Sequence, residues 1–172
     1  MIDEKAVVAC YVDAAAILAM VVLLLQSGHL RKQNNLSMRV FYALSWQVLF
    51  TAVACFVFNA MYRQAAPWCH TVAWISRTLW DYSVLAVDFL WLTYVDVKLF
   101  GTKKRGTLTR IVRILPLLVF LILLVINLFT GILFTIAEDN SLQPKPLFSL
   151  MNLTMFLYQL ALQYYTLGHS LL

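Results

Sequence analysis

Arg77, Asp81 and Asp88 lie in one long apolar stretch, four and then seven residues apart. At roughly 100° per residue this spacing brings all three within about 60° of arc on one helix face. Each ionisable group in hydrocarbon costs about 2.5 to 3.5 kcal/mol on insertion scales, so such groups are normally turned inward and paired. Arg77 can bond Asp81 one turn along. Asp13 of the first apolar segment falls at a similar depth, so an interhelical pair between Asp13 and Arg77 is the other arrangement. The cluster either fixes helix packing or forms the floor of a ligand pocket or switch. Asp88 has no basic residue near it in sequence, which leaves it protonated, hydrated, or bonded to a Gln or Tyr of another helix.

The last apolar segment carries a second polar stripe. Asn152, Gln159, Gln163, Thr166 and Ser170 follow one another at spacings of seven, four, three and four, which is one helical face. Glutamines inside membrane helices either bond a neighbouring helix or contact a ligand, and the same choice applies to Gln47 and Asn59. Asp13, Arg77, Asp81, Asp88, Asn152, Gln159 and Gln163 are therefore the candidate ligand- or signal-responsive residues. No catalytic residue is expected: the chain has no HExxH, no phosphate-cradling glycine loop, no GxSxG and no paired nucleophile and base. His29, His70 and His169 are scattered, and the Cys69-His70 neighbours lack zinc spacing, so neither a metal nor a cofactor is expected. Three cysteines make no disulfide framework, though Cys10 and Cys69 fall near one membrane face, where they could bridge.

These residues need apolar helices to hold them. Of 172 residues 62% are hydrophobic and 12% charged, more apolar surface than a soluble core of that length can hide. Five segments are long enough to cross a hydrocarbon core of about 30 Å: Ala6 to Leu25, Val40 to Met61, Thr71 to Phe100, Ile111 to Ile136 and Leu147 to Leu172. Runs such as Leu115 to Phe129 are apolar all round, unlike any surface helix. The composition predicts a single all-α domain, a polytopic transmembrane helical bundle. The first segment has no basic n-region and no small-residue cleavage site, so it reads as a retained helix. Pro116 predicts a basic interfacial stretch over Thr107 to Ile114, with the span starting near the proline. Gly131 reads as a point of close helix approach. Trp46, Trp68, Trp74, Trp80, Trp91, Tyr42, Tyr62 and Tyr94 partly cluster toward segment ends, and those near boundaries read as interfacial anchors; the aromatic count also requires some rings to line the bundle interior, where they could form a ligand wall.

Basic residues set the orientation. Arg31, Lys32 and Arg39 fill the first loop, and Lys98, Lys103, Lys104, Arg105, Arg110 and Arg113 crowd the third. The second loop offers Arg63, and the fourth sets Glu138 and Asp139 against Lys145. The first and third loops are expected in the cytoplasm, the N-terminus outside and the C-terminus inside. The isoelectric point of about 9.2 reflects this topology and contact with anionic lipid, and no nucleic-acid partner is expected. The fifth segment reaches Leu172 without a closing Lys or Arg, so further chain is expected beyond it.

The run Ile126 to Leu150, INLFTGILFTIAEDNSLQPKPLFSL, resembles the membrane domains of bacterial signalling proteins. Those are the multi-helix N-terminal sensor regions attached to GGDEF-type diguanylate cyclases or histidine kinases. The similar pattern is carried by Asn127, Phe129, Thr130, Gly131, Phe134, Asp139, Asn140 and Pro146, and the KLFGTKKRG segment after Tyr94 looks like that family's basic exit from its third helix. Where many relatives have an aromatic and Arg-Gly-Pro before the fifth helix, this chain has Gln-Pro-Lys-Pro. The resemblance implies a sensor or anchor in the bacterial cytoplasmic membrane. Its output domain would lie beyond residue 172, and a small-molecule or membrane signal would shift helix packing to bias a homodimer.

Two other functions compete with that expectation. A small transporter or proton-coupled carrier would use Asp81 and Asp88 as a relay. A packing subunit of a larger membrane complex would carry a fixed partner.

Overall fold

The computed structural model describes residues 4–28, 35–64, 66–100 and 107–170, without side-chain surroundings at 99–100, 107–113, 158, 161–163 and 165–170. Asp3, His29, Arg31, Lys32, Lys103, Lys104 and Arg105 lie outside the described residues, as do the side chains of Arg110, Arg113, Gln163, Thr166, His169 and Ser170. Apart from short turns and one small hairpin, the described residues are helical: α1 (Glu4–Ser27), α2 (Leu36–Met61), α3 (Pro67–Phe100), α4 (Thr107–Thr130), β1 (Phe134–Ile136), β2 (Leu142–Pro144) and α5 (Pro146–Ser170). Helices α1 and α2 are long and apolar enough to cross a membrane, and Ile114–Thr130 and Pro146–Leu157 are shorter apolar helices.

Local chemistry sets most boundaries. Asn35 caps α2, its Oδ1 accepting from the Ser37 backbone N–H and hydroxyl, each at 3.0 Å. Prolines 67 and 146 open α3 and α5 at the position where a missing N–H costs nothing. Helix α4 runs from Thr107 through Pro116 without a break, so no new helix starts at the proline.

The fourth segment was expected to stay helical to Ile136, with Gly131 inside it. It stops at Thr130. Gly131 has φ +58° and terminates the helix, and a Cβ there would meet Thr135 Cγ2 at 2.9 Å. Buried Asn127 finishes the turn: its Oδ1 accepts from the N–H of Leu133 at 2.7 Å and of Phe134 at 3.2 Å. Chain leaving the helix therefore has its backbone donors met without another helical turn. It pairs as an antiparallel hairpin, Phe134 opposite Pro144 and Ile136 opposite Leu142.

Helix α3 is the centre. It packs along α2, whose other side carries α1, and it also touches α4, α5 and β1. The core at the α4 and α5 end joins Leu85 and Leu92 of α3 to Leu117, Phe120 and Leu124 of α4, Leu133 and Phe134 of β1, and Phe148, Met151 and Met155 of α5. Spacings of three and four on α4 and α5 bring these residues onto one stripe per helix. The opposite faces expose Leu118, Ile122, Val125 and Phe129 on α4, and Leu153, Phe156 and Leu157 on α5.

Candidate functional site

The site grows out of Arg77. Nearly three turns into α3, its guanidinium donates to Asp81 from Nε at 3.2 Å and from Nη2 at 2.9 Å, a two-pronged bond. Arg77 is 7% exposed and Asp81 8%. Four rings surround the cation. The Arg77 Cζ stands 4.2 Å from the ring centre of Trp80, 5.4 Å from Phe148, 5.6 Å from Phe58 and 5.7 Å from Phe134. Those rings come from α3, α5, α2 and β1, so one ion pair sits where four elements meet. Ring faces carry partial negative charge, and they replace part of the hydration that the guanidinium lost.

The rings also hold one another. Phe134 meets Trp74 edge-on at 5.2 Å and Phe148 at 5.7 Å, and Phe58 lies 6.2 Å from Trp80. Above them the hairpin is tied to α3 and to the loop before it. Asn140 Nδ2 donates to the Gln64 carbonyl at 2.7 Å, and His70 Nε2 lies 3.2 Å from the Ile136 carbonyl. Arg63 and Asn140, at either side of that junction, have positive φ, 56° and 60°. At the hairpin tip, bonds from the Ser141 hydroxyl at 2.6 Å and N–H at 3.0 Å hold the Asp139 carboxyl below the usual carboxylate range.

Two further polar links cross between helices. Asn59 of α2 donates to Asp13 Oδ2 of α1 at 2.7 Å, so Asp13 is partnered by Asn59 while Arg77 bonds Asp81. Gln159 of α5 donates to Asp88 Oδ1 of α3, also at 2.7 Å. Asp88 Oδ2 is buried with no hydrogen-bond partner among the described residues.

Of the seven sequence candidates, Arg77 and Asp81 form the hub, Asp88 and Gln159 a link one level further along, and Asp13 a separate link to α2. Asn152 is exposed on α5 beside the buried Met151, so it is not brought to the hub. The Gln163 side chain lies outside the described residues. Cys10, Cys55 and Cys69 are free thiols, so Cys10 and Cys69 are not bridged. Among the described residues no group of His, Cys, Asp or Glu is placed to hold a metal ion.

Sequence reasoning missed the cage. Phe58, Phe134 and Phe148 look like any other apolar residues in apolar runs, and nothing in their spacing announces Arg77. Gly131 did leave a signal: a glycine just after an apolar helical run is the pattern of a helix stop.

A shallow apolar groove of about 210 Å³ also lies between α2 and α3, lined by Phe50, Ala54, Val57, Ile75 and Leu79 among others. Its Ser76 hydroxyl is turned to the Val72 and Ala73 carbonyls at 2.7 and 3.2 Å, which leaves apolar contact as the groove's chemistry.

No protein-family model matches the chain, and searches of curated proteins and of solved structures return no match.

Proposed function

We infer that the chain is the membrane-embedded sensory and anchoring module of a bacterial signal-transduction protein, with a cytoplasmic output domain of the diguanylate cyclase type beyond residue 172. It would cross the cytoplasmic membrane five times as α1 to α5, with its N-terminus outside. The basic residues of the first and third loops support that orientation. The apolar outer faces of α4 and α5 support the added spans.

One observation carries the reading: the buried Arg77–Asp81 pair contacts rings from α2, α3, β1 and α5 together. Among the described residues it belongs to no group of His, Cys, Asp or Glu that could hold a metal ion. It does have a mechanical position, because any change at the pair alters the seat of Phe148 and hence of α5. Helix α5 is the element that leads toward the C-terminus, and its second link to α3 runs through Asp88 and Gln159. A signal with different affinities for two packings of this hub would shift the population between them.

The test has two parts. Tags at Lys104 and Asn140 should be accessible from opposite sides of intact cells. The full-length protein in vesicles should change its output activity on Gln159→Leu. Same-side tags, or a reading frame that ends directly after Leu172, would overturn the proposal.

A proton-coupled carrier is the second reading, favoured by the unpartnered, buried Asp88 Oδ2. It requires that Asp88→Asn abolish uptake into vesicles.

A further inference from the structure

The polar stripe of α5 is only partly used inside the chain. Gln159 turns inward to Asp88, whereas Asn152 is exposed on the same helix. Asn152 lies four residues beyond Phe148, as Asp81 lies four beyond Arg77, and Phe148 meets Arg77. It therefore stands level with the buried Asp81 carboxylate, between the two points where α5 is tied to α3.

Its surroundings are apolar. Ser149, Asn152, Phe156 and Leu160 follow at spacings of three, four and four, one exposed stripe with Leu153 beside it. Other exposed polar side chains nearby are satisfied within their own helix: the Thr130 and Thr154 hydroxyls donate to the Ile126 and Leu150 carbonyls, each at 2.9 Å. Asn152 makes no side-chain hydrogen bond among the described residues. Its amide brings two donors and an acceptor, and leaving them unmet in hydrocarbon is costly.

A second copy of this chain supplies the partner without further coincidence. Copies inserted in one orientation carry Asn152 at one depth. Two α5 helices set side by side about a twofold axis along the membrane normal then bring amide against amide, and each Nδ2 can donate to the other Oδ1. Nothing repels the two copies, because no Asp, Glu, Lys or Arg occurs from Pro146 to Ser170. An unrelated helix would have to offer a polar group at that same depth.

We propose that the exposed stripe of α5 is the seam of a parallel homodimer, closed by a reciprocal amide pair between the two copies of Asn152. The proposal rests on the membrane-spanning reading above. The seam lies on the helix that carries Phe148 and Gln159, so a shift at the hub passes to the contact between copies.

The experiment mixes chains carrying a donor or an acceptor fluorophore at the N-terminus in phosphatidylcholine vesicles. Energy transfer is followed as added lipid dilutes the protein. The unaltered chain should associate, and Asn152→Leu should weaken association about tenfold while leaving the melting temperature unchanged. Asn152→Gln, which keeps an amide, should associate more tightly than Asn152→Leu. Leu157→Ala, on another exposed side of α5, should associate like the unaltered chain. A chain that stays monomeric at every dilution overturns the proposal. So does Asn152→Leu that associates as tightly as the unaltered chain, or a different membrane protein found on this stripe in place of a second copy. Tags at Lys104 and Asn140 on the same side would remove the membrane scheme, whereas a monomer with tags on opposite sides removes the dimer alone.

Discussion

Gln159 meets Asp88 eleven residues beyond the point where Phe148 meets Arg77, and eleven is the interval on both helices. Equal intervals along two contacting helices mean that α3 and α5 run in the same direction, in register. The Arg77 cage and the 2.7 Å amide-to-carboxylate bond are thus two rungs of one ladder. A sliding or tilting of α5 has to break or stretch both.

The upper rung is the costlier one to break. Removing one member of a buried ion pair leaves the other uncompensated, at about 3 to 5 kcal/mol, whereas replacing both with apolar residues of similar volume is often close to neutral. Arg77→Met and Asp81→Leu should each lower thermal stability in detergent micelles, and the double variant should be more stable than either. Additive losses would show that the pair does not act as a unit.

The lower rung is weaker. Interhelical hydrogen bonds in membrane proteins average about 0.6 kcal/mol, with a maximum near 1.7. Gln159→Leu should destabilise by about that range, while Asp88→Asn, which keeps an acceptor for Gln159, should cost less. A double-mutant cycle on the two positions should return a coupling energy of the same size. The Asn59 to Asp13 bond between α2 and α1 should behave alike.

Gly131→Ala should cost about 1 to 2 kcal/mol, because φ is +58° there and the new Cβ would stand 2.9 Å from Thr135 Cγ2. Adding Thr135→Ser removes the methyl in the way but not the backbone strain. Recovery in melting temperature should therefore be partial; full recovery would show that crowding alone had mattered.

The hairpin tip should respond to acid. Ser141 holds the Asp139 carboxyl below its ordinary value of 3.8. A depressed folded value means that the tip's extra stability is present above the unfolded value and disappears as pH falls through the folded one. Hydrogen exchange at the Ser141 amide should stay slow above about pH 4 and accelerate in more acidic buffer. Asp139→Asn should remove that acid-dependent change. A pH profile identical in both chains would contradict the assignment.

Much of this was legible without coordinates. Hydrophobic runs longer than any soluble helix could tolerate marked the helical segments, and charge cost singled out Arg77, Asp81 and Asp88 as inward-facing. The spacing of Arg77 and Asp81 was enough to suggest their bond, because residues one turn apart on a helix meet whatever surrounds them. Apolar periodicity could not locate the end of α4, since the hairpin strand that follows, Phe134–Ile136, is as apolar as a helix. A left-handed glycine and one asparagine amide made that difference.

Composition and local spacing, then, were sufficient for helix, burial and the i to i+4 ion pair, all of which depend on neighbours along the chain. The choice of Asn59 for Asp13, of Gln159 for Asp88 and of four rings for Arg77 came from folding. Those partners lie up to 71 residues away in sequence. Which distant groups meet depends on how helices cross and on register, and neither is encoded in the residue types at a single position.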